Sequence, residues 1–124
     1  QKHPISVENI YRAKVRLGTI ARRTPLMENL SLSERYGCNL FLKREDLQIV
    51  RSYKLRGAYN KMATMPKAAL KRGIVCASAG NHAEGVAYAC RMMQVHGKIY
   101  MPTVTPKQKI DKVNGAYAPV APVV

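Results

Sequence analysis

The chain has 124 residues, the size of one domain, with 21 Lys+Arg against 7 Asp+Glu and a formal net charge of +14. At 47% hydrophobic and 23% charged it has the composition of an ordinary globular domain, which argues against disorder. No apolar run approaches the roughly 20 residues of a membrane span, and no apolar stretch follows a basic start as in a signal peptide.

In chain order, Ser6 can cap a helix running to about Val15, with Val7, Ile10 and Tyr11 on one face. Arg23-Thr24-Pro25-Leu26 is extended, because the residue before a proline avoids the helical region. Ser31-Leu32-Ser33-Glu34 reads as a capping box opening a short helix that Gly37 ends. Asn39-Leu40-Phe41-Leu42-Lys43 is strand-like, and Arg44-Glu45-Asp46 reads as a charged surface turn.

From near Ser52, the spacing of Leu55, Ala58, Tyr59 and Met62 predicts a helix with one apolar stripe, stopped by Pro66. A short helix from Lys67 to Lys71 ends at Gly73. Ile74-Val75-Cys76-Ala77 reads as a fully buried strand of the parallel-sheet type. It runs into the turn Ser78-Ala79-Gly80-Asn81-His82, then a helix with Ala83, Val86, Ala87 and Cys90 at helical spacing. Lys98-Ile99-Tyr100-Met101 is the next strand, and Thr105-Pro106 caps a last helix. The order is that of a parallel, layered α/β domain. After Asn114-Gly115 the tail (115–124) is atypical, and Pro119 and Pro122 exclude a central strand there.

The basic residues are spread along the chain rather than gathered into an arm, and few aromatics are available for base stacking. Both observations count against a basic nucleic-acid-binding module. Cys38, Cys76 and Cys90 have the spacing of neither a disulfide framework nor a zinc site, and Cys76 and Cys90 read as core residues. His3, His82 and His96 supply no metal-ligand spacing, so no metal is expected.

Two constellations can carry chemistry. The first is Ser52-Tyr53-Lys54-Leu55-Arg56-Gly57-Ala58, with Lys54 at the start of a helix. The helix dipole and burial both disfavour an ammonium there, favouring the neutral amine that attacks a carbonyl. The plain alternative is a solvated surface lysine. The second is the strand-turn-helix at Ser78-Ala79-Gly80-Asn81-His82, whose unpaired N–H groups suit a carboxylate or phosphate. An ordinary turn capped by Asn81 or His82 is the alternative.

Taken with Thr24-Pro25-Leu26 and Leu42-Lys43-Arg44-Glu45-Asp46, these motifs, in this order, closely resemble the N-terminal part of the pyridoxal-phosphate serine/threonine dehydratases. Within that family the likeness is greatest to the biosynthetic threonine dehydratases, over about residues 5–114. The resemblance implies the tryptophan-synthase β-like fold (fold type II), here incomplete, with residues 1–124 forming the N-terminal part of the catalytic domain. It implies pyridoxal 5'-phosphate held as a Schiff base by Lys54, flanked by Tyr53, with Asn81 bonded to its phenolic oxygen. Ser78, Ala79, Gly80, Asn81 and His82 would line the substrate-carboxylate site. The implied reaction converts L-threonine to 2-oxobutanoate and ammonia, in isoleucine biosynthesis. The implied setting is a cytoplasmic homo-oligomer with no membrane or nucleic-acid partner.

Ala79 stands where related serine racemases carry a serine base, which favours elimination over racemisation. Glu84 stands where the family commonly has Gln. The family's glycine-rich phosphate loop, and the Ser or Cys that meets its pyridine nitrogen, lie downstream of these 124 residues. A fragment with little activity of its own is therefore expected. The competing readings are an L-serine dehydratase or another fold type II enzyme, the basic nucleic-acid-binding module, and a non-catalytic piece of a larger assembly.

Overall fold

The computed structural model describes residues 5–116 and 120–123. The expected helices and strands appear in the expected order. α1 (Val7–Leu17) is capped by Ser6, whose side chain accepts from the Asn9 N–H at 3.1 Å. The face carrying Val7, Ile10 and Tyr11 is exposed among the described residues.

β1 (Leu26–Glu28) pairs antiparallel with β2 (Phe41–Lys43), a pairing that the local pattern did not announce. Between them lies α2 (Leu30–Tyr36), which ends at Gly37 in the left-handed region with φ 62°. The capping box was misplaced. Asn29, not Ser31, caps α2, accepting from the Leu32 N–H at 2.9 Å. Ser33 spends its hydroxyl on the Leu40 N–H at 2.8 Å, fixing the chain's entry to β2.

The charged turn is a 3-10 turn, Glu45–Leu47. α3 (Lys54–Ala63) begins two residues later than expected and buries Leu55, Ala58 and Met62. α4 (Lys67–Lys71) leads into β3 (Ile74–Ala77), α5 (Asn81–Met93), β4 (Gly97–Tyr100), α6 (Lys107–Ala116) and β5 (Val120–Val123). α6 starts one residue late, because Pro106 offers its carbonyl to Lys109 and Ile110 while Thr105 Oγ1 donates to the Pro102 carbonyl.

The order β3-β4-β5 makes a parallel sheet joined by helical crossovers. β3 is not fully buried. Ile74 and Cys76 face inward, while Val75 is 67% exposed, because alternate side chains point to the sheet face away from the core, as Tyr100 does on β4. β5 is an edge strand among the described residues and pairs Pro122 opposite Ile99, a position where a missing N–H is tolerated. The rest of the expected tail, residues 117–119 and 124, lies outside the described residues.

The core forms where α5 lies between α3 and the sheet. Ala83, Val86, Ala87, Ala89 and Cys90 of α5 are buried with Leu55, Ala58 and Met62 of α3 and with Ile99 of β4. The small residues of α5 let α3 approach closely. Gly85 is the tightest point: a Cβ there would stand 3.0 Å from both the Leu55 nitrogen and the Lys54 carbonyl carbon.

Candidate active site

The Gly85 contact brings the two expected constellations together. It seats the first residues of α3, including Lys54, against α5 one turn beyond Asn81. Lys54 is the first residue of α3 and is half-buried, and its Nζ lies 5.2 Å from the centre of the Tyr53 ring. Tyr53 is itself 59% exposed, so its ring is free to flank a ligand as well as the lysine.

At the second constellation, neither Asn81 nor His82 caps α5; both are exposed, and Gly80 occupies the cap position. Ser78 Oγ substitutes for a cap, accepting from the N–H groups of Gly80 and Ala83, each at 3.3 Å. A hydroxyl has two acceptor sites and one proton. With both acceptor sites used, Ser78 is left as a donor. Its proton and the early N–H groups of α5 then make the turn a donor-rich end suited to an anion. A Cβ on Gly80 would meet nothing within 4 Å, so the space above the turn is open. Ala79 presents only a methyl group.

Four features missed in the sequence support this arrangement. Glu45, read as part of a surface turn, has a side chain only 15% exposed. Its carboxylate accepts from Arg56 Nε at 2.7 Å, from an Arg56 terminal nitrogen at 2.9 Å and from Thr24 Oγ1 at 2.6 Å. These bonds, led by the one from Arg56, hold its pKa down at about 2. Buried Gln48 grips Arg22 in both directions, accepting from its N–H at 3.0 Å and donating to its carbonyl at 2.9 Å. Gly85 is the third feature. In the sequence Glu45 showed only as a letter of the Leu42–Asp46 motif and as one of seven acids in so basic a chain. The fourth is Ser52, two residues before Lys54, whose buried Oγ has no hydrogen-bond partner among the described residues.

Glu84 lies in the first turn of α5 and is buried. Its carboxylate lies 3.6 Å from Lys112 Nζ of α6, so the extra negative charge is answered by a cation from a neighbouring helix. Cys90 is fully buried and burial pushes its thiol up to about 11, while Cys76 is raised by the same cause. Both fit the core reading. No cluster of three or more metal-ligating side chains occurs among the described residues. No helix there is long and apolar enough to cross a membrane.

An orphaned hydroxyl two residues before a half-buried lysine, open space around Gly80 and a donor-rich helix start fit a group with a carbonyl and an anionic partner. The model of a family described as pyridoxal-phosphate dependent enzymes matches residues 18–121. A biosynthetic L-threonine dehydratase of Halalkalibacterium halodurans is 55% identical over 109 residues, 88% of this chain but 26% of that protein. Among solved structures, the processed form of threonine deaminase isoform 2 from Solanum lycopersicum matches with a TM-score of 0.77 at 38% identity. That match covers 99% of this chain and 35% of the tomato one. Maize serine racemase matches with a TM-score of 0.86 at 28% identity, covering 97% of this chain and 36% of its own. The chain thus spans about a quarter of the length of the curated relatives it matches.

Proposed function

Because the chain belongs to the family of pyridoxal-phosphate dependent enzymes, with the fold type II architecture of its structural neighbours, we propose that it is the N-terminal part of the catalytic domain of an L-threonine dehydratase. The observation that carries this reading is the Gly85 contact, which places the lysine helix against the helix that starts with the anion turn. Identity above 50% to biosynthetic threonine dehydratases supports the substrate. The same reading makes the protein a cytoplasmic homo-oligomer acting in isoleucine biosynthesis.

Pyridoxal phosphate, when bound, supplies an electron-withdrawing ring that lowers the cost of negative charge at the substrate's α-carbon. Lys54 would hold the group through its amine and, once released, take the α-proton as general base. Tyr53 would cover the ring, Asn81 would donate to its phenolic oxygen, and the unpartnered Ser52 hydroxyl, two residues before the lysine, keeps a proton to donate. Ser78, Gly80, Asn81 and His82 would bind the substrate carboxylate through side-chain and backbone donors. Ala79 has no group to return a proton on the opposite face. The β-hydroxyl would therefore leave as water faster than the α-carbon is reprotonated, and addition of water to the released enamine would give 2-oxobutanoate and ammonia.

The test is a coupled assay of 2-oxobutanoate with L-threonine and L-serine, alongside chiral analysis of recovered threonine. The reading expects a preference for threonine and no D-threonine or D-allothreonine. Racemisation at a rate rivalling ammonia release would overturn the role given to Ala79. Because the chain spans about a quarter of the length of its curated relatives, the 124 residues alone are expected to turn over weakly at most.

A further inference from the structure

We infer that Glu45 is a positioning residue for Lys54, acting through Arg56; this rests on the reading of Lys54 as the cofactor lysine. α3 starts poorly. No side chain caps it, its first turn holds no acid, and its first residue is a cation, all unfavourable at a helix N-terminus. The chain enters it through Arg51, a non-glycine residue in the left-handed region with φ 57°. Such a start should fray unless something outside the helix holds it.

Glu45 is that hold. A run of tight turns leads from it to the helix: the Gln48 N–H donates to the Glu45 carbonyl at 3.1 Å, and the Arg51 N–H to the Gln48 carbonyl at 2.9 Å. Arg56, in the first turn of α3, then reaches back with two nitrogens to the Glu45 carboxylate and closes the loop. A forked guanidinium–carboxylate pair fixes orientation as well as distance. Thr24 binds the same carboxylate, and Arg56 also donates to the Arg22 carbonyl at 3.3 Å, so the segment before β1 is tied in. With Gly85 of α5 packed against the carbonyl group of Lys54 and the nitrogen of Leu55, the backbone of Lys54 has little room to move.

The experiment incubates the chain with pyridoxal 5'-phosphate, traps with borohydride and follows modification of Lys54 by peptide mass spectrometry. Glu45→Gln removes the charge, Arg56→Lys keeps the charge but loses the fork, and Met62→Ala destabilises the far end of the same helix as a control. All are compared where circular dichroism shows each to be folded. Loss of positioning is expected to slow Lys54 modification about tenfold to a hundredfold in Glu45→Gln and Arg56→Lys, with Met62→Ala nearly unchanged. If Glu45→Gln does not fold, Arg56→Lys alone carries the reading. Equal rates in all variants, or an equal slowing in Met62→Ala, would overturn it. Failure of the unaltered chain to be modified at Lys54 would instead remove the lysine's role, and the anchor with it.

Discussion

The two helix starts at this site are built in opposite ways. α5 is secured from within its own turn, where Ser78 Oγ takes two N–H groups a few residues away. α3 has no such cap and is held by a carboxylate eleven residues before its Arg56 partner and by a glycine on another helix. The start of α5 is thus a local structure that forms as the chain passes from strand to helix. The lysine end exists only once separate segments have packed.

The most damaging change to that contrast is at Gly85. In Gly85→Ala the new methyl meets backbone, which cannot move aside as a side chain would, so overpacking should cost about 1–3 kcal/mol. Thermal denaturation would show the loss, and Lys54 modification should fall with it while the turn at 78–82 keeps its own bonds. Next comes Glu45→Gln, where losing a charge-assisted pair in a partly buried setting should cost about 1–3 kcal/mol.

The same pair predicts a pH dependence. The Glu45 pKa is depressed to about 2 in the folded chain, so its contribution is complete above the usual carboxylate range and disappears as pH falls toward 2. Acid titration of the unfolding midpoint should decline over that window, and Glu45→Gln should flatten the decline. Ser78→Ala should be milder, about 0.5–2 kcal/mol, since it removes a cap from a helix otherwise buried in the core. The smallest effect is chemical. At neutral pH a thiol reagent should modify exposed Cys38 and leave buried Cys90 untouched until the chain unfolds.

The same contrast explains what could be read from the sequence. The turn and α5 were legible because strand, glycine turn and apolar helix face follow one another within some twenty residues. The stripe of α3 was legible for the same reason, as Leu55, Ala58 and Met62 show. Glu45 and Arg56 were visible as motif letters without a role, because their pairing depends on a turn path that has no hydropathy pattern. Gly85 sat inside a helix, where nothing local marks a packing glycine. The capping box at Ser31 failed because Asn29, two residues upstream, is an equally good cap and the chain had already turned there. Burial of β3 was overestimated because an apolar run does not tell a sheet covered on both faces from one covered on a single face.

The central claim is that one lysine among the many basic residues is set apart by position. Its most direct test is peptide mapping after pyridoxal 5'-phosphate and borohydride at substoichiometric reagent. The account predicts label concentrated on Lys54, and loss of that label in Lys54→Ala without transfer to a neighbour. Label spread across the lysines according to their exposure, or undiminished total label in Lys54→Ala, would contradict it.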